Sequence, residues 1–314
     1  MADRPLVLVT GATGAIGTAL VRELRVEPRT VDVRAAVRRP EAAQALRQSG
    51  VATTHLDLDG IERLPLTANE PLLDALSGVK RVFLLTGYSV DMLAQSKAVI
   101  DAAVRARVEH IVHLGAFASD DTTIVHLGWH QLVERYIESS GIGFTHLRPN
   151  TFMQNILNFS LRDDGTIQQF IGDAVVSWID TDDIARAAAA VLRNPGDHRG
   201  SSYVLAAEAL SVGAVAEILT DVVGRPFRYE PRSADDFLAG ALAGGMEPLY
   251  ARCVHNVFVR TREGTLPEVA RVTNDFERIT GQAPTLWRDY AEKNRARFLE
   301  RLSSSSFGSS SSSR

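Results

Sequence analysis

Through its first half the chain alternates short apolar runs with amphipathic stretches. "LVLVT" (6–10), "VDVRAAV" (31–37), "VATTHL" (51–56), "RVFLLT" (81–86), "HIVHL" (110–114) and "FTHLR" (144–148) are short and rich in β-branched and apolar residues, the signature of buried strands. Between them, "AIGTALVREL" (15–24) and "DMLAQSKAVIDAAVRARV" (91–108) carry apolar residues at helical spacing. Strands that are apolar on both faces and separated by helices predict a parallel sheet covered on both sides. Right-handed crossovers then make it a doubly wound α/β fold.

After Pro149 the rhythm changes. "AVVSWI" (174–179) and "SSYVLAA" (201–207) predict two further strands, with the helix "DTDDIARAAAAVL" between them opened by acidic residues that suit a helix N-terminus. From Ser211 the pattern is mainly helical, broken by a short strand at "FRYE" (227–230), and it ends in the amphipathic "APTLWRDYAEKNRARFLERL". The expected organisation is a core at 1–152 to which 174–207 returns, and a smaller, mainly helical cap made of 153–173 and 208–302. "SSSSFGSSSSSR" (303–314) has no face to bury and is expected to be a flexible low-complexity tail.

Composition narrows the class. A chain of 314 residues with 45% hydrophobic and 23% charged positions can bury a sizeable core, and a net charge of −4 gives no reason to expect nucleic acid or an anionic membrane as partner. A single cysteine, Cys253, excludes an internal disulfide and a CxxC metal site, and suits a reducing compartment. No apolar run approaches the ~20 residues that span a bilayer. "MADRP" leads straight into the first strand with no secretory pattern, so a cytoplasmic location is expected. No feature of the chain speaks to its oligomeric state.

Candidate chemistry begins at "GATGAIG", where Gly11, Gly14 and Gly17 follow the first strand and open a helix. Unpaired backbone N–H groups and the helix dipole at such a turn stabilise a pyrophosphate, and side chains there would hold it away. Thr13, Ala15 and Ile16 complete the turn, which reads as a dinucleotide fingerprint rather than merely a tight turn because of its strand–turn–helix setting. At the tip of the second strand the chain has Arg38 and Arg39 in place of an acid. Arginine accommodates the 2′-phosphate of NADP, so NADP(H) is preferred with NAD(H) possible; the bland reading is a solvated helix entrance before Pro40. Asp57, with Leu58 beside it, is placed to accept from the adenine amino group or to cap its own loop. Thr86 and Gly87 end the fourth strand, where a small backbone would pass close to the cofactor.

Taken with "VRAAVRRP", "FLLTG", "VIDAAVRARVEHIVHLGA", "LRPNTFMQNI" and "VTNDFERITGQAPTLWRDYAEKN", this turn resembles the short-chain dehydrogenase/reductase superfamily, and within it the atypical NmrA-like branch. That branch includes NAD(P)H:quinone reductases, festuclavine-dehydrogenase-type enzymes and redox-sensing proteins without turnover. The resemblance covers nearly all of residues 5–300 and implies a Rossmann-type core, a small C-terminal substrate region and nicotinamide binding. Gly115, Pro149 and Asn150 fall where such folds pass the nicotinamide.

The wider superfamily carries a serine after the fifth strand, then a tyrosine and a lysine four residues on. Here Gly115 or Ala116 stands at the serine position, His126 falls on the tyrosine position and His130 on the lysine position. Tyr136 is the only tyrosine nearby, and Ser140 follows it where lysine would stand. The pair "HLGWH" admits three readings. A zinc pair lacks further ligands and the HExxH glutamate, so no metal is expected, nor a flavin. Both histidines can instead be structural on a helix face. In the functional reading, His130 donates to the nicotinamide ribose, and His126 faces the substrate as a proton donor with a pKa near working pH.

The missing tyrosine bears on the acceptor. A ketone reduced by hydride becomes a poorly stabilised alkoxide, whereas a quinol oxyanion is delocalised and needs less help. A quinone-like or polycyclic aromatic substrate is therefore expected. "LRPNTFMQNILNFS" would line its pocket with Phe152, Met153 and Phe159, and with Asn150 and Asn155 as polar contacts. Phe117, Trp129, Trp178 and Tyr250 are further aromatic candidates; each alone reads more readily as core, and it is their concentration around the expected mouth that points to a pocket. The expected function is an NAD(P)H-dependent reductase, plausible as a tailoring step of secondary metabolism such as antibiotic biosynthesis. Reaction of the quinol with dioxygen would make it monooxygenase-like. An NADP-sensing regulator without turnover is the alternative.

Overall fold

The computed structural model describes residues 4–59 and 70–303. The six leading strands are β1 (Leu6–Val9), β2 (Asp32–Val37), β3 (Ala52–His55), β4 (Val79–Leu84), β5 (His110–Leu114) and β6 (Gly143–Pro149). Six shorter or later ones follow: β7 (Thr151–Phe152), β8 (Thr166–Gln169), β9 (Val176–Ile179), β10 (Ser201–Leu205), β11 (Glu208–Leu210) and β12 (Arg228–Pro231). The helices interleaved with the first set are α1 (Ala15–Leu24), α2 (Pro40–Gln48), α3 (Glu70–Ala75), α4 (Met92–Arg105), α5 (Val125–Ser139) and α6 (Thr181–Arg193).

Seven strands form one parallel sheet in the order β10-β6-β5-β4-β1-β2-β3. The order reverses between β1 and β4, the switch point at whose carboxyl edge doubly wound sheets bind ligands. All five residues of β5 are buried, as a strand covered on both faces requires. The described residues to Pro149, with Thr181–Leu205 and Asp275–Gln282, make one compact unit around this sheet.

Asn150–Asp180, Ala206–Asn274 and the described residues from Ala283 onward make a second unit. Its core joins Met153, Ile156 and Trp178 to Trp287, Tyr290 and Phe298, with the Trp178 and Trp287 rings edge-on at 5.2 Å. Two small sheets serve it, β11-β9-β7 and β12-β8.

The strand expected at 174–179 therefore does not return to the main sheet. β9 pairs in parallel with β7 and antiparallel with β11. The edge beside β6 is filled instead by β10, whose residues from Ser201 to Leu205 pair with Thr145 to Pro149. The first unit takes back only Thr181–Leu205, and the division falls after Pro149 rather than after residue 152. Asp275–Gln282 rejoins the first unit because Asp275 Oδ2 accepts from the Val204 N–H at 2.8 Å and the Arg186 guanidinium lies 5.0 Å over the Phe276 ring. Residues 304–314 of the expected tail lie outside the described residues. Among the described residues no helix is long and apolar enough to cross a membrane.

Candidate active site

The turn between β1 and α1 is shaped for a phosphate. Gly11 adopts φ +61°, and a Cβ there would also press on Leu85 at 2.6 Å. A Cβ on Gly17 would sit 2.1 Å from the Gly11 carbonyl oxygen, so the helix lies against the turn only because residue 17 is glycine. Gly14 caps α1 with no side-chain hydrogen bond, and Thr13, Gly14 and Ala15 are exposed, while Ile16 packs inward. Thr10 ties the turn to β4: its Oγ1 donates toward the Phe83 and Leu85 carbonyls at 3.0 and 2.8 Å and accepts from the Leu85 N–H at 2.7 Å. This bare helix N-terminus, cradled by glycine backbone, fits a dinucleotide pyrophosphate.

Arg38 is exposed at the end of β2 and donates to Asp59, an acid for which the sequence reading had no role. Asp59 also receives Gln95 Nε2 at 3.4 Å, and its own N–H donates to Asp57 Oδ1 at 3.1 Å. Asp57 is thus a loop-capping acid in this structure, with Leu58 half-buried beside it. Thr86 is half-buried and Gly87 exposed, with open space around the position a Cβ would take on Gly87.

At the other edge of the switch point, α5 carries His126, His130, Glu134 and Glu138 four residues apart. Successive members of this stripe lie on neighbouring turns of one helix face. Glu134 is buried and accepts two bonds from Arg148 of β6, from Nε at 3.0 Å and from a terminal nitrogen at 2.6 Å. Two histidines stand opposite on the sheet. His113 of β5 and His146 of β6 are direct register partners, and their rings approach edge-on at 5.7 Å. His130 tilts over His113 at 5.8 Å.

Gly115 sits among them. A Cβ there would lie 3.1 Å from Glu134 Oε1 and 3.2 Å from the His113 ring, so the space a serine side chain would need belongs to this cluster. Its N–H donates to the Leu147 carbonyl at 2.9 Å. Tyr136 is turned elsewhere: its hydroxyl donates to Asp101 Oδ1 at 2.6 Å, and the Lys97 ammonium lies 5.1 Å over its ring. Ser140 donates to the Ile137 carbonyl. Neither can restore the serine–tyrosine–lysine set.

The expectation that His126 titrates near neutrality is corrected. Burial pushes its imidazole down to about 4, and burial, aided by the charge of His126, does the same to His130. A neutral imidazole offers one N–H donor and one acceptor nitrogen, and no imidazolium acid.

The expected pocket residues divide. In the first unit Phe117 is half-buried, with its N–H on the Pro149 carbonyl at 3.0 Å. Trp129 is 6% exposed and lines an open groove of about 500 Å³ with Val125, Gly128 and Leu132. In the second unit Phe159 is 78% exposed on a π-helical turn, Ile156–Ser160, a distortion common at functional sites. Phe152, Asn155 and Tyr250 are half-buried. Met153 and Trp178 are corrected to core: neither has any exposed surface, and the Trp178 indole N–H is spent on the Leu210 carbonyl at 3.1 Å. The Asn150 amide is likewise occupied, donating to Ser177 Oγ at 2.7 Å and to the Val269 carbonyl at 2.9 Å. The sequence reading missed Asp59, Gln95, His113, Glu134, His146 and Arg148. The signal available was a histidine inside each of the strands "HIVHL" and "FTHLR", at 113 and 146.

The model of the NmrA-like family matches residues 3–247. The chain belongs to the NmrA-like family. Among characterised relatives, an NAD(P)H azoreductase of Xenophilus azovorans is 30% identical over 296 residues, covering 93% of this chain and 99% of that protein. A (4-alkanoyl-5-oxo-2,5-dihydrofuran-3-yl)methyl phosphate reductase of Streptomyces griseus subsp. griseus is 30% identical over 301 residues, with the same coverage. Among solved structures, the NADPH complex of the quinone oxidoreductase QOR2 of Escherichia coli superposes with a TM-score of 0.76 at 25% identity, covering 91% of this chain and 99% of that one.

Proposed function

We propose that this NmrA-like protein is an NAD(P)H-dependent oxidoreductase that passes hydride to a quinone-like or other electron-poor conjugated aromatic acceptor. The observation that carries the reading is a glycine-built phosphate turn in the same unit as two half-buried histidines, His126 and His130, one helical turn apart on α5. Relatives named as an azoreductase and a quinone oxidoreductase, whose acceptors are conjugated, support the same class.

When bound, the nicotinamide supplies the hydride; the chain supplies binding, orientation and a polar lining. Gly11, Gly14 and Gly17 with the N-terminus of α1 would hold the pyrophosphate. Arg38 would turn from Asp59 to a 2′-phosphate, which favours NADP(H) while leaving NAD(H) usable. His130 would donate to the ribose, and His126 would hydrogen-bond an acceptor oxygen or nitrogen through its neutral N–H. A neutral donor suits an acceptor whose reduced form spreads its own charge, and suits a simple ketone poorly. The setting we infer is a tailoring step of secondary metabolism, where the quinol product could pass electrons on to dioxygen and so support oxygenation without a flavin.

Loss of NADPH absorbance with a panel of quinones and azo dyes tests this. Turnover with at least one conjugated acceptor, and little with simple ketones, is expected. Tight NADP binding with no oxidation by any acceptor would overturn it in favour of a dinucleotide sensor.

A further inference from the structure

The cluster formed by β5, β6 and α5 has a second property that hydride transfer does not use. His113, Glu134 and His146 are all buried, and one potential ligand atom from each lies within 4.8 Å of the others. His113 is 1% exposed, and neither of its ring nitrogens has a hydrogen-bond partner; His146, at 0%, is in the same state. A buried imidazole normally satisfies at least one nitrogen. Two adjacent ones with no such bond, facing a carboxylate, are a donor set lacking its acceptor.

We infer that His113, His146 and Glu134 form a binding site for a borderline transition-metal dication such as Zn²⁺ or Co²⁺. Two imidazoles and one carboxylate are a set that zinc accepts, with water or a further donor completing a tetrahedron. The residues come from elements fixed to one another: β5 and β6 are register partners at residues 113 and 146, and Arg148 of β6 clamps Glu134 of α5. A second shell is present too. His146 Nε2 lies 3.5 Å from Glu138 Oε1, so a carboxylate stands where it can orient the ring.

Zinc–nitrogen and zinc–oxygen bonds of about 2.0–2.2 Å require the three donors to draw together by roughly 1 Å. The Glu134–Arg148 clamp opposes that movement. Arg148 has a second acid within reach, the exposed Asp120 at 3.9 Å, to which it can shift as the cation takes a Glu134 oxygen. Occupancy would tie α5 more firmly to the sheet. The site uses none of the cofactor turn and does not depend on the proposed reductase activity.

The test is titration of the metal-free full-length chain with Co²⁺, read by the visible absorption of tetrahedral cobalt, beside thermal unfolding with Zn²⁺. Expected are a saturable cobalt band and a Zn²⁺-dependent rise in Tm of about 3 °C or more. His113→Gln and His146→Gln should each weaken Co²⁺ binding at least about tenfold, and Glu138→Gln by about tenfold through the second shell. His126→Ala should leave the band in place. No band and no Tm shift up to ~1 mM metal overturns the site, as does a band that survives both His113→Gln and His146→Gln or is lost in His126→Ala. Should the glutamine variants not fold, X-ray absorption of the cobalt-loaded wild type decides. Two imidazoles and a carboxylate support the assignment, and a shell of oxygen alone overturns it.

Discussion

The helices that follow β1 and β5 serve opposite ends of one proposed site and are built in opposite ways. α1 opens on bare backbone: no side chain caps it, and glycine at position 17 lets it lie on its own turn. α5 is entered through a longer loop and presents a stripe of side chains, His126, His130, Glu134 and Glu138, to a sheet that answers with His113, His146 and Arg148. The first binds through main-chain geometry, which tolerates almost no change. The second works through tertiary contacts among polar groups, which evolution can exchange one by one.

The largest effect should come from the rigid end. In Gly17→Ala the added Cβ meets a backbone oxygen at 2.1 Å, so the turn must open. Cofactor affinity should fall by on the order of 100-fold, about 3 kcal/mol, in an NADPH fluorescence titration. Unchanged affinity would break the contrast between the two ends.

Acid stability probes the packed end. His110, 2% exposed with Nε2 at 3.0 Å from Thr145, and His126 are both pushed by burial to about 4, below the 6.5 of an exposed imidazole. The unfolded chain therefore binds more protons between these values. Stability is complete above about pH 6.5 and falls as pH drops toward 4, by up to about 1.4 kcal/mol per unit for each histidine. Urea unfolding at a series of pH values should show that slope, and His110→Gln should flatten it. A pH-independent midpoint would show these imidazoles to be hydrated in the folded chain.

Smaller effects separate the two histidines. His126→Ala should lower kcat about tenfold with little change in the KM for NADPH, whereas His130→Ala should raise that KM. Identical kinetics in both variants would assign the pair a purely structural role. The smallest shift is expected at the adenosine end. Arg38→Ala should reduce the preference for NADPH over NADH by about tenfold, and Asp59→Asn should raise it severalfold by releasing Arg38. A ratio unmoved by either substitution would detach the Arg38–Asp59 pair from cofactor choice.

What the sequence disclosed follows the same division. The parallel sheet and the glycine turn were legible because their signals are local: apolar runs of strand length, and glycine where backbone must approach backbone. β9 was recognised as a strand but given to the wrong sheet, since pairing partners depend on which edge is already filled, here by β10. Asp59 stood in plain view in "HLDLD", yet its partner Arg38 lies twenty-one residues back, just past the end of β2. His113 and His146 are thirty-three residues apart and meet only through strand register. The shift in His126 was out of reach for a related reason, because burial, which sets it, is a property of the folded chain.

The most direct measurement of the reductase reading is the pH dependence of kcat/KM for NADPH oxidation by a quinone, from about pH 5 to 8. Turnover with no inflection near pH 6.5 is the predicted result, because both site histidines stay neutral until about pH 4. An inflection near 6.5 that vanishes in His126→Ala, or the absence of any turnover, would contradict it.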